Sequence, residues 1–406
     1  MVFFLKRYIL CALFVVAVIV DALNGFFQLS VHIDSPIGVA YRGAIYVFLF
    51  YSFICNLQIS HQLIIFFFLT LLLSVWCLFY NASLFYELNF IIRFSYVFLL
   101  FTYFQIHWKN FTNEELYKYC TLYGSLISFV IVFSFVLGIG HSSYGDDFGW
   151  GTTGLCIAQN DLALTIVCTL IMACMYYNKY NQTLLSLVRL FFIALGGILT
   201  GTRVCFIAIP ITLAIQGCFI IRLKGHIVQK ILLTLLLIIV LPIVGWLIYL
   251  ALDSYALAKL TIESMGNART YLVDYAKAHI STFDELSFFI GKGVGNLQHY
   301  VARGYSGFEY KMVEADLYEI IGAYGFFVGI IIISFYLYVA YISIVTFCQN
   351  RDKEYFFCAL LLILYVAIGY FAGHAATNVM AAPIYAIVAN RILTLDKRRI
   401  VRIVKK

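Results

Sequence analysis

Residues 316–347 read DLYEIIGAYGFFVGIIIISFYLYVAYISIVTF, and this stretch decides the fold class. Beyond Asp316 and Glu319 it carries no charge as far as Phe347. An α-helix needs about 20 apolar residues to cross the hydrocarbon core of a bilayer, and this run is longer than that. Similar runs recur along the chain. Read between polar breaks they give about twelve helices of spanning length, near 8–28, 38–55, 62–80, 90–106, 119–139, 154–177, 184–200, 203–221, 231–251, 316–347, 355–373 and 376–393. The expected fold class is an all-α polytopic membrane protein, read as one integral membrane domain over 1–406.

Composition agrees. Of the 406 residues 63% are apolar and 12% charged, against about 45–50% and about 25% in soluble domains. A water-soluble fold of this size cannot cover so much apolar surface, and disordered, collagenous, coiled-coil and disulfide-scaffold readings fall at the same step. With 4 prolines and no alternating strands, the sequence does not read as an outer-membrane barrel either. The 11 cysteines are scattered through the apolar runs without ligand spacing, so no metal site, cofactor or disulfide framework is expected. Lys6 and Arg7 precede the first apolar run, but no small-x-small cleavage site follows, so it is kept as a span.

Lys397, Arg398, Arg399, Arg402, Lys405 and Lys406 crowd the C-terminus, which assigns the tail to the cytoplasm. Twelve spans then place the N-terminus there too, and Lys109, Lys118, Lys179, Arg222, Lys224, Lys230, Arg351 and Lys353 all fall on the same side. The net charge of +7 is therefore topology and not a nucleic-acid footprint; binding of anionic membrane lipid is the lesser reading of the tail.

One connection is long: 253–315, inserted between predicted helices 9 and 10, polar, mixed in charge and on the outer side. Tyr271, Val273, Tyr275, Ile280, Phe283 and Leu286 recur at helical spacing, so it is expected to fold onto the membrane face. Its glycine-rich turn GKGVGN (291–296) reads as a tight turn, or as backbone that a ligand approaches through Asn296; no Lys-Ser/Thr pair follows to make a phosphate loop. The halves of the chain show no repeat, which weakens a transporter reading.

Charges at the outer boundary are informative because they should be rare. Arg42, Arg93 and Arg203 sit near outer ends of predicted spans, and Arg269 lies in the large loop. Singly, each reads as a snorkelling side chain or a structural ion pair. Together they suggest an anionic ligand, and arginine's planar fork suits a diphosphate. Glu314, Asp316 and Glu319 close the loop; Asp316 and Glu319 share a helix face, as caps of a first turn or as a general base. Asn160 and Asp161 are similarly placed, and His141, His299 and His374 are also on the outer side.

Several segments resemble the O-antigen ligase/polymerase family of bacterial envelope proteins. They are GTTGLCIAQNDLAL (151–164), LTGTR (199–203), Arg269 followed by GKGVGN, VEADLYEIIGAYGFFVG (313–329) and FAGH (371–374). The likeness covers roughly 150–393. Ligases of that family carry a His-Asn pair where this chain reads Glu314-Ala315-Asp316, so the pattern is most like Wzy-type polymerases.

The resemblance implies a glycosyltransferase-C-like fold in the bacterial inner membrane, with the large loop periplasmic. It implies inverting, metal-independent glycosyl transfer from undecaprenyl-diphosphate-linked oligosaccharides. Glu314 or Asp316 would be the catalytic base. Arg203 and Arg269, then Arg93 and Arg42, would bind the diphosphate. Asn160, Asp161, Asn296 and His374 would bind substrate. A chain-length regulator (Wzz-type) and a flippase (Wzx-type) are the implied partners. A ligase that moves glycan onto lipid A-core, and a lipid-linked sugar flippase, remain the alternatives.

Overall fold

The computed structural model describes residues 8–32, 37–55, 75–76, 79–80, 83–143, 151–156, 158–221, 262–304 and 309–404. The span read at 231–251, most of that at 62–80, and the start of the large loop lie outside the described residues. Among those described, 8 helices are long and apolar enough to cross a membrane. The architecture is mostly helical and consistent with an all-α polytopic membrane protein. Among the described residues the one β element is the short antiparallel pair β1 (His141–Ser142) and β2 (Thr152–Gly154).

Contacts group the chain into two compact units: Met1–Arg42 with Lys109–Thr261, and Gly43–Trp108 with Ile262–Lys406. The first holds α1 (Ala17–Val31), the opening turn of α2 (Ile37–Cys55), α4 (Asn113–Leu137), α5 (Gln159–Lys179), α6 (Leu184–Leu199) and α7 (Arg203–Ile221). A capping box between Thr112 and Glu115 starts α4. Helix α5 is buried from Asp161 to Tyr177 because α4, α6 and α7 all pack on it. Such a helix must be apolar all round, as this one is. Asn178 of α5 donates to Gln216 of α7 at 2.6 Å.

The second unit holds the rest of α2, α3 (Leu84–His107), the loop helices α8 (Ile262–Ser281), α9 (Glu285–Ile290) and α10 (Val294–Gly304), then α11 (Asp316–Asn350), α12 (Lys353–Ala372) and α13 (Ala382–Val404). Buried Asn390 of α13 donates to the Phe101 carbonyl of α3 at 2.7 Å, and Arg391 forks onto Glu354 of α12 at 2.9 and 3.2 Å. The last helix begins later than hydropathy suggests. Asn378 Oδ1 accepts from the Met380 and Ala381 amides at 3.0 and 2.8 Å, which makes a turn of residues that read as span.

The larger departure is inside α11. Gly325 has φ 74° and ψ 177°, which no helix accommodates and only glycine adopts readily. The chain reverses there. A Cβ on Gly329 would lie 3.1 Å from the Ile321 side chain, eight residues earlier; in a straight helix those positions would stand about 12 Å apart. The sequence 316–347 is thus two segments: a short one, Asp316–Tyr324, folded back against a spanning one from Phe326. Hydropathy cannot see the break, because both segments are apolar.

Candidate active site

The reversal at Gly325 carries Asp316 down the side of its own helix. Asp316 and Tyr336 line one cavity of ≈ 240 Å³ together with Ile333 and Leu337 of α11, Tyr365, Gly369 and Tyr370 of α12, and the Ala375–Ala376 turn. Straight geometry would hold Asp316 and Tyr336 about 30 Å apart. Tyr336 is roughly ten residues, about 15 Å of helix, past Phe326, so the carboxylate is recessed along the spanning segment. The cavity walls are apolar, and Leu337 and Tyr370 at its rim are half-exposed. The Tyr336 hydroxyl is buried and finds no hydrogen-bond partner among the described residues.

Each acidic side chain is held. Asp316 Oδ2 accepts the Ala376 amide at 2.8 Å. Glu314 Oε1 accepts Lys311 Nζ at 3.0 Å. Glu319, 2% exposed, accepts Gln298 Nε2 at 3.0 Å and lies within electrostatic reach of Asp316, Arg93 and Glu314. Gln298 joins the two flanks of this turn. Its backbone carbonyl accepts the Lys311 amide at 3.1 Å, ahead of Glu314, while its side chain grips Glu319 behind Asp316.

Glu314 and His374 have φ 58° and 65°, a backbone region that costs non-glycine residues free energy. They are neighbours through Gly373, where a Cβ would lie 2.5 Å from the Glu314 carbonyl carbon. The FAGH segment is therefore packed against the acidic turn. Such strain persists only where the surroundings enforce it, and it concentrates at working sites.

The glycine-rich turn already holds a carboxyl group from its own chain. Buried Glu87 of α3 accepts the Val294 amide at 3.0 Å and the Gly295 amide at 2.7 Å, at the N-terminus of α10. Asn296 donates to the Tyr80 and Lys292 carbonyls at 3.2 and 2.7 Å. His279 of α8 is 4% exposed, packs against Phe283 and Tyr300, and finds no partner for either ring nitrogen among the described residues. Burial, aided by Lys292, pushes its pKa down to about 4. Asp284 caps α9, and hydrogen bonds from Ser287 hold its carboxyl below the usual range.

The four arginines divide between the units. Arg93 and Arg269 belong to the second; Arg269 sits on α8, and its side chain lies outside the described residues. Arg42 and Arg203 belong to the first. There Arg42 is ion-paired with Asp21 of α1, which in turn is within electrostatic reach of Asp161. Asn160 and Asp161 form the first turn of α5, with Asp161 buried. LTGTR is a tight turn between α6 and α7: Thr200 and Thr202 hydroxyls meet at 3.1 Å, and Ser143 donates to the Thr200 carbonyl at 2.7 Å. His299 Nδ1 is 3.1 Å from the Glu309 carbonyl oxygen. Among the described residues no group of three or more His, Cys, Asp or Glu is placed to hold a metal.

Sequence reasoning passed over Lys311, Gln298, Glu87, Asp21 and Tyr336. Asp21 and Glu87 carried a signal, being lone carboxylates in apolar runs. Gln298 and Lys311 look like ordinary loop residues. Compared with protein families, with curated proteins and with solved structures, the chain finds no match in any of the three.

Proposed function

We propose that the chain is an O-antigen polymerase. It joins undecaprenyl-diphosphate-linked oligosaccharide repeat units at the periplasmic face of a bacterial inner membrane, by inverting, metal-independent glycosyl transfer. The observation that carries the reading is Asp316, the last residue of the acidic turn Glu314–Asp316, lining an apolar groove between α11 and α12. A lipid-linked sugar needs such a pairing: apolar wall for a prenyl chain, and a polar, charged end where its head reacts. The reading keeps twelve spans, both termini cytoplasmic, and a periplasmic loop over 253–315. A flippase delivers the substrate and a chain-length regulator limits the product.

In this reading Asp316 is the base. The Ala376 amide fixes one of its oxygens and orients the other. The acceptor sugar's hydroxyl oxygen attacks the anomeric carbon of the donor and its proton passes to Asp316. The anomeric C–O bond breaks on the opposite face, and its electron pair leaves with the undecaprenyl diphosphate. One displacement inverts the anomeric centre and needs one base. Arg93 and Lys311 stabilise the charge that grows on the diphosphate, commonly a large catalytic contribution; Glu314 holds Lys311 for that role.

The test is a strain lacking the native protein, complemented with the wild type. Polymerase loss leaves lipopolysaccharide bearing one repeat unit, ligase loss leaves none, and flippase loss blocks export of the unit. A deletion strain with any pattern but the first contradicts the reading.

A further inference from the structure

Helix α9 belongs by sequence to the polar loop, yet its outward face is apolar: Leu286 is 51% exposed and Phe289 54%. Phe288 stacks on Phe326 at 4.7 Å and 24°, at the top of the spanning segment of α11. Gly291, just after α9, packs on Gly325, and buried Trp76 donates to the Ile290 carbonyl at 3.0 Å. These contacts fix α9 rigidly beside the first turns of that segment. There Phe327 and Ile330 are each 55% exposed. Phe79, three residues from Trp76, is exposed as well.

We infer that α9 lies in the lipid leaflet at this end of α11, its Leu286 and Phe289 side chains among the acyl chains. The argument is continuity. Phe327 and Ile330 face lipid if α11 spans at all, and α9 extends the same apolar surface without a polar break. Charges bracket it on the solvent side: Asp284 and Glu285 begin the helix, and Lys292 follows it with its ammonium on the Thr282 carbonyl at 2.8 Å. That distribution is the mark of an interfacial helix, whose apolar face sinks about 5–10 Å below the headgroups. An apolar patch of this kind left in water would be an aggregation site. The inference is independent of the functional proposal.

The test places a photoreactive benzophenone amino acid singly at positions 286, 289, 327 and 274 of the full chain. Each protein is irradiated in nanodiscs of phosphatidylethanolamine and phosphatidylglycerol, and adducts are read by mass spectrometry. Position 327 is the lipid reference and exposed 274 the aqueous one. The expected result is lipid adducts at 286 and 289 in the proportion found at 327, and their loss at 274. Loss of lipid adducts at 286 and 289 while 327 retains them overturns the inference. So do adducts at 286 and 289 to a second copy of the chain or, in irradiated cells, to another protein.

Discussion

Gly325 and Gly291 meet backbone to backbone: a Cβ on Gly325 would lie 2.5 Å from the Gly291 amide nitrogen. Both have φ 74°. The pair sets the reversal of α11 and hence the depth of Asp316. Gly325→Ala has to relieve both the left-handed backbone and the clash. It should destabilise the folded protein by at least about 2 kcal/mol. Thermal unfolding in detergent reads this. Gly43→Ala is the control, since nothing lies within 4 Å of a Cβ there; in a helix it should be neutral or stabilising by up to about 1 kcal/mol.

Gln298 and Glu319 form a buried polar pair, so breaking it from one side leaves the other without its partner. Gln298→Met alone should cost about 1–3 kcal/mol. The double variant Gln298→Met/Glu319→Met should cost less than the sum of the two single ones, because no polar group is stranded. Unfolding midpoints of the four proteins measure the coupling. Strict additivity would show that the 3.0 Å contact carries no energy.

His279 makes stability depend on pH. Its folded pKa of about 4 lies below the usual 6.5, so the unfolded chain binds the proton more readily. The stabilisation is complete above pH 6.5, falls as pH drops toward 4, and levels off below that. The difference is as much as roughly 3 kcal/mol. Melting curves from pH 7.5 to 4.5 should show the decline in the wild type and a shallower one in His279→Phe.

Filling the groove should block substrate without unfolding the protein. Leu337 lines the cavity but is half-exposed, so Leu337→Trp has room to rotate and can also cover the opening. The variant should shorten the lipopolysaccharide ladder at wild-type protein level, and raise the KM for lipid-linked repeat units more than it lowers kcat. An unchanged ladder would remove the groove from the substrate path.

Much of the helical architecture is legible in the sequence, because the length and apolar character of a span can be read one residue at a time. The helices near 38–55, 184–200, 203–221 and 355–373 emerge within a few residues of their hydropathy limits. What stays hidden depends on partners distant in sequence. The reversal at Gly325 sits inside an unbroken apolar run and requires Gly291 opposite it. GKGVGN reads as a tight turn or a ligand loop, and neither reading names Glu87 as the group on its amides. Arg42 reads as a snorkelling side chain, a structural ion pair or part of an anion site until α1 places Asp21 against it. Glu314, Asp316 and Glu319 stand out as carboxylates in an apolar chain, whereas Gln298, which holds Glu319 and the Lys311 amide, has no signature in one dimension.

The most direct measurement is the lipopolysaccharide ladder made by Asp316→Asn in a strain lacking the native protein, at matched membrane levels of the variant. Asparagine keeps the side chain's size and cannot take the acceptor's proton. The account predicts that chains collapse to a single repeat unit, a rate loss on the order of 100-fold or more. A full-length ladder from Asp316→Asn would contradict it.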